Sequence, residues 1–281
     1  MKKSPREASL GGKIFTYAFL TLFVLWSIYP ILNVITVSLR PGDLLWSKDL
    51  SIIPENWTLD AYYQLLFDKP FMRWLWNSML VSFTVTLTGV ALASTAGYAF
   101  SRYKFRGKET AMIGMIVTQM FPVTMLLLPL FIMLIKMGLY DTYIGLIIAY
   151  SATALPFCVW QMKGYYDTIP KSLEEAAAID GCSQWMTFYR IVLPLAAPAL
   201  VITALFSFMS AWSEYLVAAV LIQDTTMFTL PLGLKSFQSN FATEWGLYAA
   251  AALFVSLPVV VLFMALSRYL VSGLTLGGVK E

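Results

Sequence analysis

The sequence predicts an all-α membrane protein with six transmembrane helices and both termini cytoplasmic. Three observations carry that prediction. Six stretches contain no Asp, Glu, Lys or Arg: residues 14–39, 74–101, 110–135, 142–162, 191–213 and 245–267. Together they occupy 147 of the 281 residues, and a helix needs roughly 20 apolar residues to cross a ~30 Å hydrocarbon core. Charged residues make up 12% of the chain, about half the ~25% usual in soluble domains. Mean hydropathy is +0.71. Finally, the segments joining the six stretches alternate between two sides, and one side holds 13 Lys and Arg against 6 on the other. Basic residues are retained in the cytoplasm. That places the N-terminus, the 102–109 and 163–190 segments and the tail inside.

Residues 1–13 form the cytoplasmic N-terminus. Met1-Lys2-Lys3 resembles the basic region of a signal peptide, but the apolar run that follows far exceeds the 7–15 residues of such a peptide's core. Residues 14–39 therefore read as a retained first span. The external segment 40–73 carries five acids and four bases, with turn signals at Pro41-Gly42 and Pro54-Glu55-Asn56. Tyr62, Tyr63, Trp74 and Trp76 stand where an aromatic belt would sit at the second span. After that span, Arg102-Tyr103-Lys104-Phe105-Arg106-Gly107-Lys108 is a short basic hairpin that anchors topology. Pro30, Pro122, Pro129, Pro156, Pro198 and Pro258 are expected to kink five of the six helices. The external 222–246 segment is polar and aromatic, and too long for a tight turn, a feature of functional loops. Residues 271–281 form a cytoplasmic tail.

Several functions are excluded, and an ion-coupled secondary sugar carrier is left as the alternative that the charge pattern counts against. With no histidine there is no Ser-His-Asp triad, Cys-His dyad or imidazole metal ligand. No metal centre and no catalytic residue are expected. Cys158 and Cys182 cannot form a disulfide framework and read as small apolar residues. No G-x-x-x-x-G-K-[S/T] loop is present to cradle ATP. The basic residues behind the +3 net charge are scattered, so no nucleic-acid partner is expected. An ion-coupled carrier would place acids near mid-membrane, and this chain has only Glu214, at the outer end of the fifth span. Glu214 is either solvated at the interface or facing a water-filled path. Asn33, Gln119, Ser151, Thr153, Ser207 and Ser210 are polar residues within spans, a type that commonly ties helices together.

Residues 163–194 form the most informative segment. Pro170 stops a helix upstream, and Ser172 with Glu175 three residues on fits a capping box. A short helix from Leu173 to about Asp180 should end at Gly181 in a left-handed turn. Ser183 can cap a second helix with Trp185, Phe188 and Val192 at helical spacing, before Pro194 starts a bend. Such a knob suits insertion into a cleft of a soluble partner; it equally suits a helix pair lying on the bilayer.

The same segment resembles the loop signature of ABC importer permeases: Glu175-Ala176-Ala177, Gly181, then Ile191, Leu193 and Pro194, with no spacing error. Ser38-Leu39-Arg40-Pro41-Gly42, Leu75-Trp76-Asn77-Ser78, Gly97-Tyr98-Ala99-Phe100, Gln119-Met120-Phe121-Pro122 and Gly273-Leu274-Thr275-Leu276-Gly277-Gly278-Val279-Lys280 extend the likeness to carbohydrate permeases of the maltose type. The resemblance implies the type I ABC importer permease fold, with a core domain over residues 74–270 and a first span packed on a second, homologous permease. It implies two ATPase subunits that use ATP and Mg, an external solute-binding protein and a sugar substrate. The Glu174, Glu175, Ala176, Ala177, Asp180 and Gly181 knob would dock on the ATPase with Ile191, Leu193 and Pro194 behind it. The tail Gly277-Gly278-Val279-Lys280 would reach between the ATPase subunits. Thr225, Thr226, Phe237, Gln238 and Asn240 would meet the binding protein. Gln119, Trp212, Ser213 and Glu214 would line the path, although related permeases often have Trp-Asn-Glu where this chain has Trp212-Ser213-Glu214.

Overall fold

Hydrocarbon offers no partner to a backbone amide or carbonyl, so long apolar runs satisfy their own by coiling into helices. The computed structural model describes residues 10–43, 45, 53–54, 56–238 and 243–276, with 43 and 268–276 by backbone alone. Among the described residues the chain is nearly all helix, with one isolated antiparallel bridge between Gln238 and Thr243. The helices are α1 Leu10–Ser38, α2 Asp60–Tyr63, α3 Phe71–Arg102, α4 Lys108–Met120, α5 Val123–Lys136, α6 Tyr143–Thr168 and α7 Ser172–Ile179. They continue with α8 Gln184–Thr187, α9 Leu193–Leu195, α10 Ala197–Trp212, α11 Leu216–Leu221, α12 Leu230–Lys235 and α13 Trp245–Leu276. A π turn over Phe188–Val192 joins α8 to α9.

Four apolar stretches become single helices long enough to cross a membrane: α1, α3, α6 and α13. The other two are broken. α4 and α5 meet at 107°, and the Gln184–Leu195 and Ala197–Trp212 segments meet at 77°. Counting each bent pair as one crossing gives six, by length and composition. The first break follows from Phe121-Pro122: a residue before proline is pushed toward extended backbone, and Phe121 stands at φ −80°, ψ 131°. At the second, Pro198 sits in the first turn of α10, where a missing N–H costs nothing. Pro30, Pro129, Pro156 and Pro258 lie inside uninterrupted helices. The sharp breaks are thus fewer than the prolines that invite them.

The chain forms two compact units, residues 1–69 with 237–254, and residues 70–236 with 255–281. In the first, α1 shows its apolar side chains outward along nearly its whole length and buries only Thr36 and Ser38. Ser38 Oγ and Tyr62 OH are hydrogen-bonded at 2.7 Å, and Tyr62 meets Phe254 edge-on at 6.1 Å between ring centroids. In the second unit α3 packs along both α6 and α10. Without a hydrophobic drive between helices in lipid, close backbone approach at small residues is what holds them. Gly97 supplies it: a Cβ there would stand 2.8 Å from Met162 Cβ and 2.9 Å from the Lys163 nitrogen of α6.

Among the described residues, apolar side chains of this unit gather in two clusters. Val81, Val85, Leu146, Tyr150, Ala211 and Leu221 gather α3, α6, α10 and α11 at one end. Ala93, Cys158, Met162, Tyr166, Phe188, Val192 and Ala199 gather α3, α6, the π turn and α10 at the other.

Candidate functional site

The knob predicted between the fourth and fifth spans forms as α7 and α8. Its start differs from expectation. Lys171 is the N-cap, and the Glu174 and Glu175 amides both donate to its carbonyl at 3.0 Å. With Lys171 already in helical conformation, the helix begins one residue early. Ser172 lies inside it, and the Ser172–Glu175 capping box does not form. The end is as expected. Gly181 has φ 84°, its N–H donates to Ala178 O at 3.1 Å, and the Cys182 N–H donates to Ala177 O at 2.9 Å. That pair of bonds is a left-handed helix stop that a side chain would strain. Ser183 then caps α8 by accepting the Met186 N–H at 3.3 Å.

The knob's two sides have opposite character. Ala177 is buried, as are Phe188 and Val192 behind it, while Glu175, Ala176, Asp180 and Gly181 are exposed. Ile191 and Leu193 are half-buried and Pro194 is exposed. Ile179 is 87% exposed and Trp185 67%, a large apolar surface at the tip beside two carboxylates. Such surfaces mark interaction sites.

The neighbouring acids Glu174 and Glu175 part company. Glu175 faces outward, whereas Glu174 is turned in to the end of α3. One Glu174 oxygen accepts the Tyr98 hydroxyl at 2.7 Å, and the other pairs with Arg102 Nε. Side-chain exposure is 7% for Arg102 and 15% for Glu174. The same guanidinium donates to Ile169 O at 2.9 Å and to Ser101 Oγ at 3.0 Å, and Ser101 donates to Asp167 Oδ1 at 2.6 Å. Arg102, read in sequence as part of a topology anchor, thus ties three segments. Tyr98 also stacks obliquely on Phe188, with ring centroids 4.7 Å apart.

At the opposite end of α3 a second network holds residues 221–230. Trp74 Nε1 donates to Thr225 O at 3.1 Å, and Asn77 Nδ2 donates to Thr226 O and Phe228 O, both at 2.9 Å. The Tyr143 hydroxyl donates to Asn77 Oδ1 at 2.8 Å, which fixes the amide's orientation, and Ser78 Oγ accepts the Leu230 N–H at 2.7 Å. Asp141, left-handed at φ 54°, accepts the Gln223 and Asp224 amides at 2.8 and 3.2 Å. Asp224 accepts the Thr226 N–H at 2.8 Å, and that bond holds its carboxyl below the usual range. Thr225 and Thr226 therefore present exposed side chains on a pinned turn, not on a loose loop. In the other unit Phe237 is buried, with Lys69 Nζ over its ring at 5.6 Å and within 3.1 Å of Glu244. Gln238 is half-buried. Asn240 and Gly277-Gly278-Val279-Lys280 lie outside the described residues.

Trp212 is buried and packs in α10, its Nε1 donating to Val255 O at 3.1 Å. Ser213 Oγ donates back to Met209 O at 2.7 Å. Glu214 accepts the Val217 N–H at 3.0 Å and so supports the start of α11. Gln119 lines a cavity of about 530 Å³ between α4, α5 and α6, and donates to Thr153 O at 3.1 Å. The structure does not gather these four into one cluster. Among the described residues no group of three or more acids or thiols could hold a metal ion. Sequence reading missed Asn77, Tyr143, Asp141 and the partnership of Arg102 with Glu174. Asn77, Tyr98, Arg102 and Glu174 stood within stretches singled out beforehand, whereas Tyr143 and Asp141 did not.

Comparison with known proteins agrees with this architecture. Residues 86–276 match the family described as binding-protein-dependent transport system inner membrane component. The maltose/maltodextrin transport system permease protein MalG of Photorhabdus laumondii is 39% identical, over 94% of this chain and 95% of that protein. MalG of Escherichia coli K12 is 37% identical over the same shares, and the maltodextrin permease MdxG of Bacillus subtilis is 36% identical over 97% and 98%. Among solved structures, a chain of a bacterial ABC transporter involved in import of the acidic polysaccharide alginate has a TM-score of 0.81 at 24% identity, covering 95% of this chain and all of that one. By sequence and by fold, the chain belongs to the binding-protein-dependent transport system inner membrane components, as a multi-pass permease subunit with the type I ABC importer fold.

Proposed function

We propose that this permease subunit imports maltodextrin-type oligosaccharides, paired with a second homologous permease, two ATPase subunits and an external solute-binding protein. The observation that carries the reading is the exposed α7–α8 knob, in a chain 36–39% identical to maltodextrin permeases over nearly its whole length. The charge count puts the knob and both termini in the cytoplasm. ATP and Mg are used by the ATPase subunits. When ATP closes their dimer, Glu175, Ala176, Asp180, Gly181, Ile179 and Trp185 are carried with it, and the spans open outward. Hydrolysis resets them. The Gly277-Gly278-Val279-Lys280 tail reaches toward the ATPase pair, and α1 offers its exposed apolar length to the second permease. Thr225 and Thr226, exposed on the pinned turn, meet the binding protein, and Gln238 and Asn240 are further candidates for that contact, whereas Phe237 is buried and does not reach it. Gln119 and its cavity contribute to the path, with Trp212, Ser213 and Glu214 holding the helices beside it.

The test is uptake of labelled maltotriose into proteoliposomes carrying the purified complex. Glu175→Lys and Gly181→Pro are expected to abolish ATP-driven uptake while membrane abundance stays at the wild-type level. Proline at 181 would impose a negative φ and remove the N–H that reaches Ala178. Full uptake by both variants would sink the coupling role. Uptake driven by an ion gradient without ATP would replace the importer reading with a carrier.

A further inference from the structure

Glu174 and Glu175 are sequence neighbours in the first turn of α7, yet only one is free to meet a partner. Glu174 has both oxygens engaged inside the subunit, by Tyr98 and Arg102 of α3. We propose that the Arg102–Glu174 pair is the strut through which displacement of α7 reaches the membrane helices. Glu174 and Arg102 are then positioning residues, and Glu175 is the carboxylate left for the ATPase. The inference rests on the functional reading above and adds the internal route of the motion.

Three features favour a strut over an incidental ion pair. The pair is nearly buried, so water does not screen it as it would an exposed pair. The guanidinium is triangulated by Ile169 O after α6, Ser101 Oγ on α3 and Glu174 on α7, so it cannot swing when α7 is pushed. Beyond Arg102 the load path is stiff: about one and a half turns back along α3, Gly97 brings α3 against the backbone of α6, too close for any added atom. Movement of α7 must therefore shift α3 and α6 together or break these bonds. A lysine could keep the charge but not the fork that reaches several acceptors at once.

Arg102→Lys and Glu174→Gln retain bulk and helix propensity, which makes them suitable probes. The complex would be purified with its ATPase subunits, reconstituted with binding protein and maltotriose, and assayed for sugar taken up per ATP hydrolysed. Each variant is expected to keep its ATPase subunits and hydrolyse ATP, while uptake per ATP falls about tenfold, the size of an ordinary coupling free energy. The double variant should be no worse than either single one, because the two residues act as a unit. Unchanged uptake per ATP, or losses that simply add, would overturn the strut. Loss of the ATPase subunits from the single variants would also overturn it, in favour of a staple that only folds α7. A wild-type complex without ATP-driven maltotriose uptake would fail earlier, bringing down the functional reading and the strut with it.

Discussion

At the scale of single residues, the chemistry of this subunit is that of held amides. Asn77 bonds two carbonyls of the 225–230 turn while Tyr143 holds its own oxygen. Asn77→Ala removes the partner of two part-buried carbonyls and of the Tyr143 hydroxyl, at about 1 kcal/mol for each lost hydrogen bond. Amide exchange over residues 224–230 is expected to quicken while exchange in α6 is unchanged. Asp224 adds a pH dependence of known sign. Its folded value lies below the unfolded one, near 3.9, so its bond to Thr226 supports the turn above that pH and is lost as pH falls through the folded value. Exchange at Thr226, corrected for intrinsic pH dependence, should rise only below about pH 4. Asp224→Asn should abolish that rise.

Among the elements, α3 does most of the positioning, with the knob at one end and the pinned turn at the other. Gly97→Ala sets a methyl against Met162 Cβ and the Lys163 backbone, and a backbone cannot step aside. Overpacking of this kind costs about 1–3 kcal/mol, and the purified complex should melt at lower temperature. The helices themselves were legible because charge-free runs of this length have one solution in lipid. The Gly181 stop and the Ser183 cap were legible because their partners lie within five residues. The broken spans were not, since Pro122 and Pro129 look alike in sequence and only packing shows which one ends a helix. The start of α7 escaped because Lys171 and Ser172 are both able to begin it. Arg102 and Glu174 escaped because 72 residues separate them and nothing local links a basic hairpin to an acidic helix.

For the whole molecule, the exposed length of α1 and the bare tip of the knob describe a part of an assembly. Gentle purification of the tagged chain from native membranes should recover an ATPase carrying a Walker motif and a second permease. Elution alone after mild cross-linking would remove the ATP-driven premise. The 107° elbow between α4 and α5 has a consequence for how such a chain is kept in the cell. Every helix end leaves backbone amides or carbonyls without helical partners, and in hydrocarbon each costs several kcal/mol. With the pair taken as one crossing, those ends fall within the bilayer's depth, beside a cavity of about 530 Å³ with room for water. Lipid offers those backbone groups no hydrogen-bond partner. A chain made without a covering neighbour therefore stays exposed to membrane proteolysis, and its lifetime in a pulse-chase should be set by how much of its partner permease is made alongside it.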